Sequence, residues 1–249
     1  MAKDIQAIQR RIETIDDTTK ITNAMKLVSM SRVQKYRRLM NELTDFVDRL
    51  DRFPNEEVDD ELPKLMVVFM PDLGLSSAYN QQVWRGVKNS GIENVIWVGT
   101  KFYERAVKDD DINVLSHFET SDDLNIDDLY KEISEFINDY HLVMLVPELD
   151  VQDVTITYES LMARLPIQDS IIYEPNISDV NQQYQSIRTL SLLYHGFYQA
   201  KYVEYFSRRV AMDAATDNAN DLREELENEY NKARQEKITN EILELSQGA

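Results

Sequence analysis

The chain has 249 residues, a formal net charge of −18 and no cysteine. The lack of cysteine excludes a disulfide framework, a thiol nucleophile and a cysteine-based metal site. The sequence contains no run of about 18 apolar residues that could span a bilayer, and its amphipathic, partly acidic N-terminus is unlike a signal or transit peptide. These features predict a cytoplasmic protein.

The first stretch, residues 3–52, contains neither proline nor glycine. Its apolar and threonine side chains follow the 3-4 alternation of a heptad seam at Ile5, Ile8, Ile12, Ile15, Thr19 and Thr22. We therefore predict one N-terminal helix within residues 1–55. A 50-residue helix is about 75 Å long, whereas a compact chain of this size has a radius of gyration of about 18 Å. Such a helix needs a long partner.

The negative charge is concentrated in residues 53–181, while residues 1–52 carry more basic than acidic side chains. An acidic centre of this kind argues against nucleic acid binding, because phosphate groups would be repelled. Two interpretations of the acidity stay open, namely a solvated surface or a surface that docks a basic partner.

Residues 64–175 have a different sequence pattern, in which short apolar runs alternate with helical segments. Strands are predicted at 64–70, 94–98, 112–118 and 141–146, and helices at 79–88, 100–108 and 121–140, the last with Ser121 as its N-cap. This alternation predicts an α/β fold, a Rossmann-like central domain whose sheet is largely parallel and covered on both faces. Residues 154–165 fit either a strand or a helix.

Residues 180–249 contain only Gly196 and Gly248 as glycines and no proline. Small or apolar residues recur three or four apart, which predicts one long C-terminal helix, with a kink near Gly196 as an alternative. Many of these residues are alanines, which let a second helix approach closely. The simplest arrangement is a long antiparallel coiled coil of the N- and C-terminal helices.

No motif in the chain indicates catalysis. Neither G-x-x-x-x-G-K-[ST] nor G-x-G-x-x-G occurs, so no nucleotide-binding motif and no cofactor are predicted. The three histidines lack metal-ligand spacing. Residues 74–78 follow a strand as a nucleophile elbow does, but Ala78 stands where that elbow needs glycine. A mechanical or binding protein is the favoured interpretation.

Two segments at opposite ends of the chain resemble the gamma subunit of F-type ATP synthases. The N-terminal segment is KITNAMKLVS, residues 20–29, and the C-terminal one combines Met212, ATDNA at 215–219, YNKARQ at 230–235 and Thr239. The resemblance implies a rotor shaft that couples ion flow through the membrane sector to ATP synthesis or hydrolysis. It also implies a non-catalytic, peripheral subunit at the cytoplasmic face of the cell membrane. The implied partners are the alpha and beta subunits of the catalytic hexamer, the epsilon subunit and the membrane c-ring.

The resemblance also implies functional positions. The contacts between shaft and beta subunits would be made by Met25, Arg208, Arg234, Gln235 and Thr239. We expect Met25 to lie near the level of the last three, although packing inside the helix pair is an equal alternative for it. A turn in the central domain would be formed by Asp72, Gly74, Leu75 and Asn80.

Two alternatives remain open at this point. The short and acidic centre also suits a gamma paralogue that serves a specialised rotary ATPase. A coiled-coil adaptor without an ATPase partner would share the long helices. Neighbouring genes for alpha and beta subunits would separate the adaptor from the shaft.

Overall fold

The structure, a computed structural model, describes residues 5–53, 56–57, 62–120, 122, 124–151, 153–166 and 172–247. The chain divides into two compact units. One consists of residues 1–30 and 208–249, and we call it the helix pair; the other consists of residues 31–207, and we call it the central unit. The predicted domain boundaries near residues 55, 64, 175 and 180 stay predictions.

The described elements follow one another in the order expected for an α/β protein. They are α1 (Ile5–Asp51), β1 (Glu56–Glu57), β2 (Lys64–Phe69), α2 (Ser77–Asn89), β3 (Asn94–Val98), α3 (Tyr103–Ala106), β4 (Asn113–Phe118), α4 (Ile126–Phe136), β5 (His141–Asp150), β6 (Asp153–Ser160), β7 (Ala163–Arg164) and α5 (Ile177–Gln247). Both predicted long helices are present. The predicted fold class is confirmed.

The main sheet of the described residues has the strand order β4-β3-β2-β5-β6. Strands β4, β3, β2 and β5 are parallel, and β6 runs antiparallel to β5. The region 154–165 that the sequence left open is therefore mostly strand, since β6 forms a hairpin with β5. A separate antiparallel pair joins β1 and β7.

Two expected helices are shorter in the structure. The segment expected at 100–108 is helical only over α3. The one expected at 121–140 begins at Ile126, where the side chain of Asn125 accepts a hydrogen bond from the backbone N–H of Asp127 (3.1 Å). Asn125 is thus the N-cap of α4, and Ser121, to which we assigned that role, lies outside the described residues.

The two faces of the sheet carry separate apolar cores within the central unit. Alternate residues of β2 point to opposite faces, so Leu65 and Val67 belong to one cluster and Met66 and Val68 to the other. The first cluster packs against α4 and against residues of α1 and α5, such as Phe197. The second packs against α2. This two-sided cover explains why the strands read as continuous apolar runs.

Gly196 allows α5 to approach the sheet closely. A Cβ atom at this position would lie 2.3 Å from Cε of Met144 on β5. Helix α5 continues without interruption through Gly196. A side chain at this position would make the end of the Met144 side chain move. The glycine therefore serves close packing and does not end the helix.

Candidate functional site

The two halves of the helix pair run antiparallel. Among the described residues, polar contacts across the seam join Asp16 to Arg223 (2.7 Å), Thr22 to Thr216 (2.8 Å), and Lys26 to Asp213. Residue numbers rise along α1 as they fall along α5, which defines the antiparallel direction. The predicted coiled-coil arrangement is confirmed.

The side chains that fill the seam of the helix pair change from apolar to polar along its length. At the end that holds the start of α1, Ile8 packs with Leu226 and Ala233, and Ile5, Ile12 and Ile15 lie against them. In the middle, the buried side chains include the hydroxyls of Thr22, Ser29 and Thr216. The Thr216 hydroxyl donates to that of Thr22, so these two threonines are hydrogen-bonded inside the seam.

Several large apolar side chains of the helix pair face outward. Ile21, Leu27, Val28 and Met30 on α1 are exposed, as are Leu222, Ile238, Ile242 and Leu243 on α5. Single exposed apolar residues are ordinary on protein surfaces. A group of four within ten residues of one helix is better suited to a surface that other chains cover.

The residues assigned to shaft contacts differ in accessibility. The side chains of Arg234, Gln235 and Thr239 are exposed, and Met25 is partly buried. The Thr239 hydroxyl donates to the backbone oxygen of Gln235 (2.9 Å), within the same helix. Arg208, in contrast, is buried, with 3% of its surface exposed.

Met25 and Arg234 do not lie at the same level of the helix pair, and our expectation that they do was wrong. Arg234 follows Ala233, which packs in one cluster with Ile8. Met25 lies roughly 17 residues beyond Ile8 on α1, which corresponds to about 25 Å along a helix. Met25 instead adjoins Lys26, the partner of Asp213. The register between two antiparallel helices decides this, and neither helix reveals it alone.

In the central unit, the turn assigned from the sequence is organised by Asp72. Its carboxylate accepts hydrogen bonds from the backbone N–H of Thr100 (3.3 Å), the hydroxyl of Thr120 (3.2 Å) and the backbone N–H of Asp122 (3.0 Å). These donors follow β3 and β4, while Asp72 follows β2. One aspartate thus ties together the carboxyl ends of three parallel strands.

The other residues of this turn have less uniform roles. Leu75, and not Gly74, has the left-handed backbone, with φ at 67°. A Cβ atom at Gly74 would have no neighbour within 4 Å. The buried hydroxyl of Ser76 donates to Oδ1 of Asn80 (3.1 Å). This bond gives Ser76 a structural role at the start of α2, and the nucleophile elbow has no support in it.

A buried charged cluster next to this turn was not found from the sequence. The ammonium group of Lys201 on α5 contacts the carboxylates of Asp122 (2.7 Å) and Glu204 (3.1 Å). Burial favours a lower pKa for Lys201, and the two carboxylates outweigh it, so that its pKa is raised. The one available signal was spacing, because Phe197, Lys201 and Glu204 continue a buried 4-3 pattern on α5.

Asp122 is less enclosed than its partners. Its side chain is 34% exposed, whereas that of Lys201 is 2% exposed. Burial favours a higher pKa for Asp122, but hydrogen bonds from Lys201 and Tyr205 lower it. The carboxylate is therefore held in its charged form beside the ammonium group.

A cavity of about 330 Å³ lies at the carboxyl end of β5, lined by Met40, Glu148, Leu149, His195, Gln199, Tyr202 and Val203. In open α/β sheets, ligands bind where the strand order reverses, and here that reversal falls between β2 and β5. The lining contains no glycine-rich turn and one basic group at most, the half-buried His195. It does not resemble a phosphate-binding site.

The described residues contain neither a candidate metal site nor a candidate membrane span. Across the described residues, His, Asp and Glu form no group of three or more that could hold a metal ion. No helix within those residues combines the length and apolar content needed to cross a bilayer.

Comparison with known proteins identifies consistent relatives. A family model described as ATP synthase matches residues 4–249. A protein of Malacoplasma penetrans (strain HF-2) named "ATP synthase gamma chain" is 28% identical, over 98% of this chain and 98% of its own. A protein of Halothermothrix orenii (strain H 168) with the same name is 30% identical, over 97% and 96%.

Solved structures with the same fold are more distant in sequence. A chain from the cryo-EM structure of the Euglena gracilis mitochondrial ATP synthase, OSCP/F1/c-ring, in rotational state 3, superposes with a TM-score of 0.72 at 17% identity. The match covers 98% of this chain and 93% of the other. A chain from the rotor of the same synthase in rotational state 1 gives a TM-score of 0.65 at 17% identity, over 94% of this chain and 98% of the other.

Proposed function

Because this chain belongs to the ATP synthase family, we propose that it is the gamma subunit, the central rotor shaft of an F-type ATP synthase. In this role it couples ion flow through the membrane sector to ATP synthesis or hydrolysis at the catalytic hexamer. The observation that carries the proposal is the antiparallel helix pair, whose outward apolar side chains need a covering partner. Relatives that carry the name of the gamma chain over nearly their full length support the same role.

The proposed partners are the alpha and beta subunits around the helix pair, and the epsilon subunit and c-ring at the central unit. One shaft meets three equivalent beta subunits, so at any rotor angle each of them contacts a different face of the pair. A ligand or partner shifts a conformational equilibrium only through contacts that differ between states. Rotation therefore changes the nucleotide affinity of each catalytic site in turn, and the coupling is reciprocal.

We further propose that the chain is not itself catalytic and that it acts as a peripheral subunit at the cytoplasmic face of the cell membrane. The absence of phosphate-binding sequence motifs supports the first point. The concentration of negative charge in residues 53–181 suits a central unit that docks against basic loops of the membrane ring.

The shaft contacts fall into two zones. Met25 belongs to one zone, near Lys26 and Asp213. Arg234, Gln235 and Thr239 belong to another, which begins about 21 residues beyond Asp213 on α5, or about 30 Å along the helix. The exposed side chains of the second zone suit direct contacts with beta subunits. Arg208 keeps its assignment as a contact residue only as a proposal, because its burial limits what it can present to a partner.

The proposal is tested by reconstitution with the alpha and beta subunits of the same organism. We expect the isolated chain to hydrolyse no ATP, and we expect it to co-purify with the hexamer. A probe attached to the chain should then rotate when ATP is added. Nucleotide hydrolysis by the isolated chain, or failure to bind the hexamer, would contradict the proposal. Binding to the hexamer with hydrolysis but no ATP synthesis by the whole membrane complex would favour the specialised paralogue.

The two contact zones are tested separately. Met25→Lys places a strongly hydrated charge in a close interface, where it can pair with a beta-subunit carboxylate and hold one rotor angle longer. We expect normal assembly and hydrolysis but fewer ions pumped per ATP. Replacing Gln235 and Thr239 with alanine removes angle-specific contacts and should slow hydrolysis itself. Met25→Leu, which keeps the apolar volume, is the control; an unchanged ratio in Met25→Lys would mean that Met25 only packs.

A further inference from the structure

The buried charge on α5 is held from two directions. Lys201 is paired within its own helix with Glu204 and across the fold with Asp122, which lies 79 residues earlier in the chain. The hydroxyl of Tyr205 donates to the same Asp122 carboxylate at 3.2 Å. One turn of α5 therefore directs several polar groups to the loop between β4 and α4. We name Asp72, Asp122, Lys201, Glu204 and Tyr205 the edge clamp.

The loop side of the edge clamp is firmly positioned. The backbone N–H of Asp122 donates to the carboxylate of Asp72 at 3.0 Å. Asp72 also accepts from Thr100 and Thr120, which follow the neighbouring strands β3 and β4. The carboxylate that meets Lys201 is thus attached to the ends of three strands of the sheet, and a force on that loop is passed to the whole sheet.

The helix side is tied to the second long helix of the central unit. The ring of Tyr205 stacks on that of Tyr36 in α1, with centroids 5.8 Å apart and an interplanar angle of 10°. Tyr36 is itself buried, and it also contacts Phe197 edge-on. The edge clamp is therefore continuous with the aromatic packing between α1 and α5 in this unit.

Apolar packing alone does not define the angle of a helix about its own axis. The hydrophobic effect is non-directional, so a smooth apolar face can turn or slide at small cost. Charge-assisted hydrogen bonds have short distances and preferred angles. On the sheet-facing side of α5, where Leu193, Phe197 and Ala200 are buried, the ion pair from Lys201 to Asp122 is a charged directional contact. It adds to hydrogen bonds from α5 elsewhere along the sheet, such as that from Gln199 to the backbone oxygen of Pro147 (3.2 Å).

From this geometry we propose that the edge clamp is a torque-bearing joint between the sheet and α5, at the carboxyl ends of β2, β3 and β4. Lys201 and Asp122 act as positioning residues that fix the rotational register of α5, a single helix from Ile177 to Gln247. Torque applied to the central unit then turns α5 together with the sheet, and the helix does not rotate about its own axis relative to the sheet. This inference rests on the proposed rotor function, and it adds a specific pair of residues that the function requires.

The test compares variants in the assembled membrane complex. Asp122→Asn keeps the shape and an acceptor for Tyr205 but removes the charge that meets Lys201. Asp128→Asn is the matched control, because Asp128 forms an exposed ion pair with Lys131 at 3.0 Å. Leu193→Ala, at a fully buried apolar position of α5, destabilises the same unit without touching the edge clamp. ATP hydrolysis, ion pumping and the unfolding midpoint are measured on each preparation.

We expect Asp122→Asn to retain ATP hydrolysis and to lose ion pumping per ATP, while Asp128→Asn matches the wild type. Lys201→Arg, which keeps the positive charge, should retain more pumping than Lys201→Met. A normal ratio in Asp122→Asn, or an equal loss in Leu193→Ala, would overturn the clamp and leave the rotor function standing. If the wild-type complex itself fails to assemble or rotate, the proposed function fails instead, and the two results are distinguishable.

Discussion

Shortening Leu226 to alanine tests whether the few buried aliphatic side chains of the helix pair hold it together. Leu226 is 3% exposed and packs with Ile8 and Ala233, whereas Leu222, one turn earlier on the same helix, is 42% exposed. Leu226→Ala removes buried methyl groups and leaves a cavity. Leu222→Ala deletes the same atoms at a position where they are largely in contact with water. It therefore serves as a matched control.

The expected cost follows from how well the seam can close around the cavity. Buried leucine-to-alanine changes cost about 2–5 kcal/mol, and sites that collapse easily are at the low end. The neighbours Ile5, Ile12 and Ile15 are only partly buried and can move inward. We therefore expect a loss of about 2–3 kcal/mol. This corresponds to an increase of about 30- to 140-fold in the equilibrium constant for local opening.

Amide hydrogen exchange on the isolated chain measures this opening directly. Protection of the amides in residues 222–236 should fall by that factor in Leu226→Ala. In Leu222→Ala it should stay constant or rise slightly, because alanine is the better helix former. Equal exchange in the two variants would refute the view that these aliphatic contacts stabilise the pair.

Two further predictions concern the central unit. Gly99→Ala should destabilise the chain by several kcal/mol, since Gly99 has a φ of 103° and a Cβ atom would lie 2.0 Å from the carbonyl oxygen of Met70. Gly74→Ala, where a Cβ atom has no near neighbour, is the control. The midpoints of thermal unfolding of the two variants should differ sharply. Burial lowers the pKa of His195 below its usual 6.5, against the opposing effect of Asp48. As the pH falls, His195 is therefore protonated in the unfolded state before it is protonated in the folded state. Stability should fall as the pH drops below about 6.5, and His195→Gln should flatten that slope in urea titrations; an unchanged slope would exclude His195 as its source.

The long helices and the buried strands could be predicted because their signals are local. Proline-free stretches with few or no glycines and with 3-4 spacing indicated α1 and α5. Apolar runs such as 64–70 and 141–146 indicated β2 and β5. The assignment of 154–165 could not be made, because its mixture of apolar and polar residues fits both periods. Pairing with β5 decides it.

The features that sequence reasoning missed depend on contacts between distant segments. Asp72 was assigned to a turn, but its link to Asp122 crosses 50 residues. Lys201 lies on a mostly apolar helix face, and its partner outside that helix, Asp122, is 79 residues away. The relative level of Met25 and Arg234 depends on the register between α1 and α5. Helical spacing defines which face of a helix is buried, but it contains no information about that register.

The contact between Thr22 and Thr216 has a consequence for how the chain is made. These residues are 194 positions apart. A ribosome that adds about 5–20 residues per second needs about 10–40 seconds to synthesise that interval. During this time the seam face of the first helix has no partner, while the segment 31–207 is already emerging and can begin to fold. We therefore expect the two ends to close last, and we expect the nascent N-terminal helix to depend on a chaperone until they do.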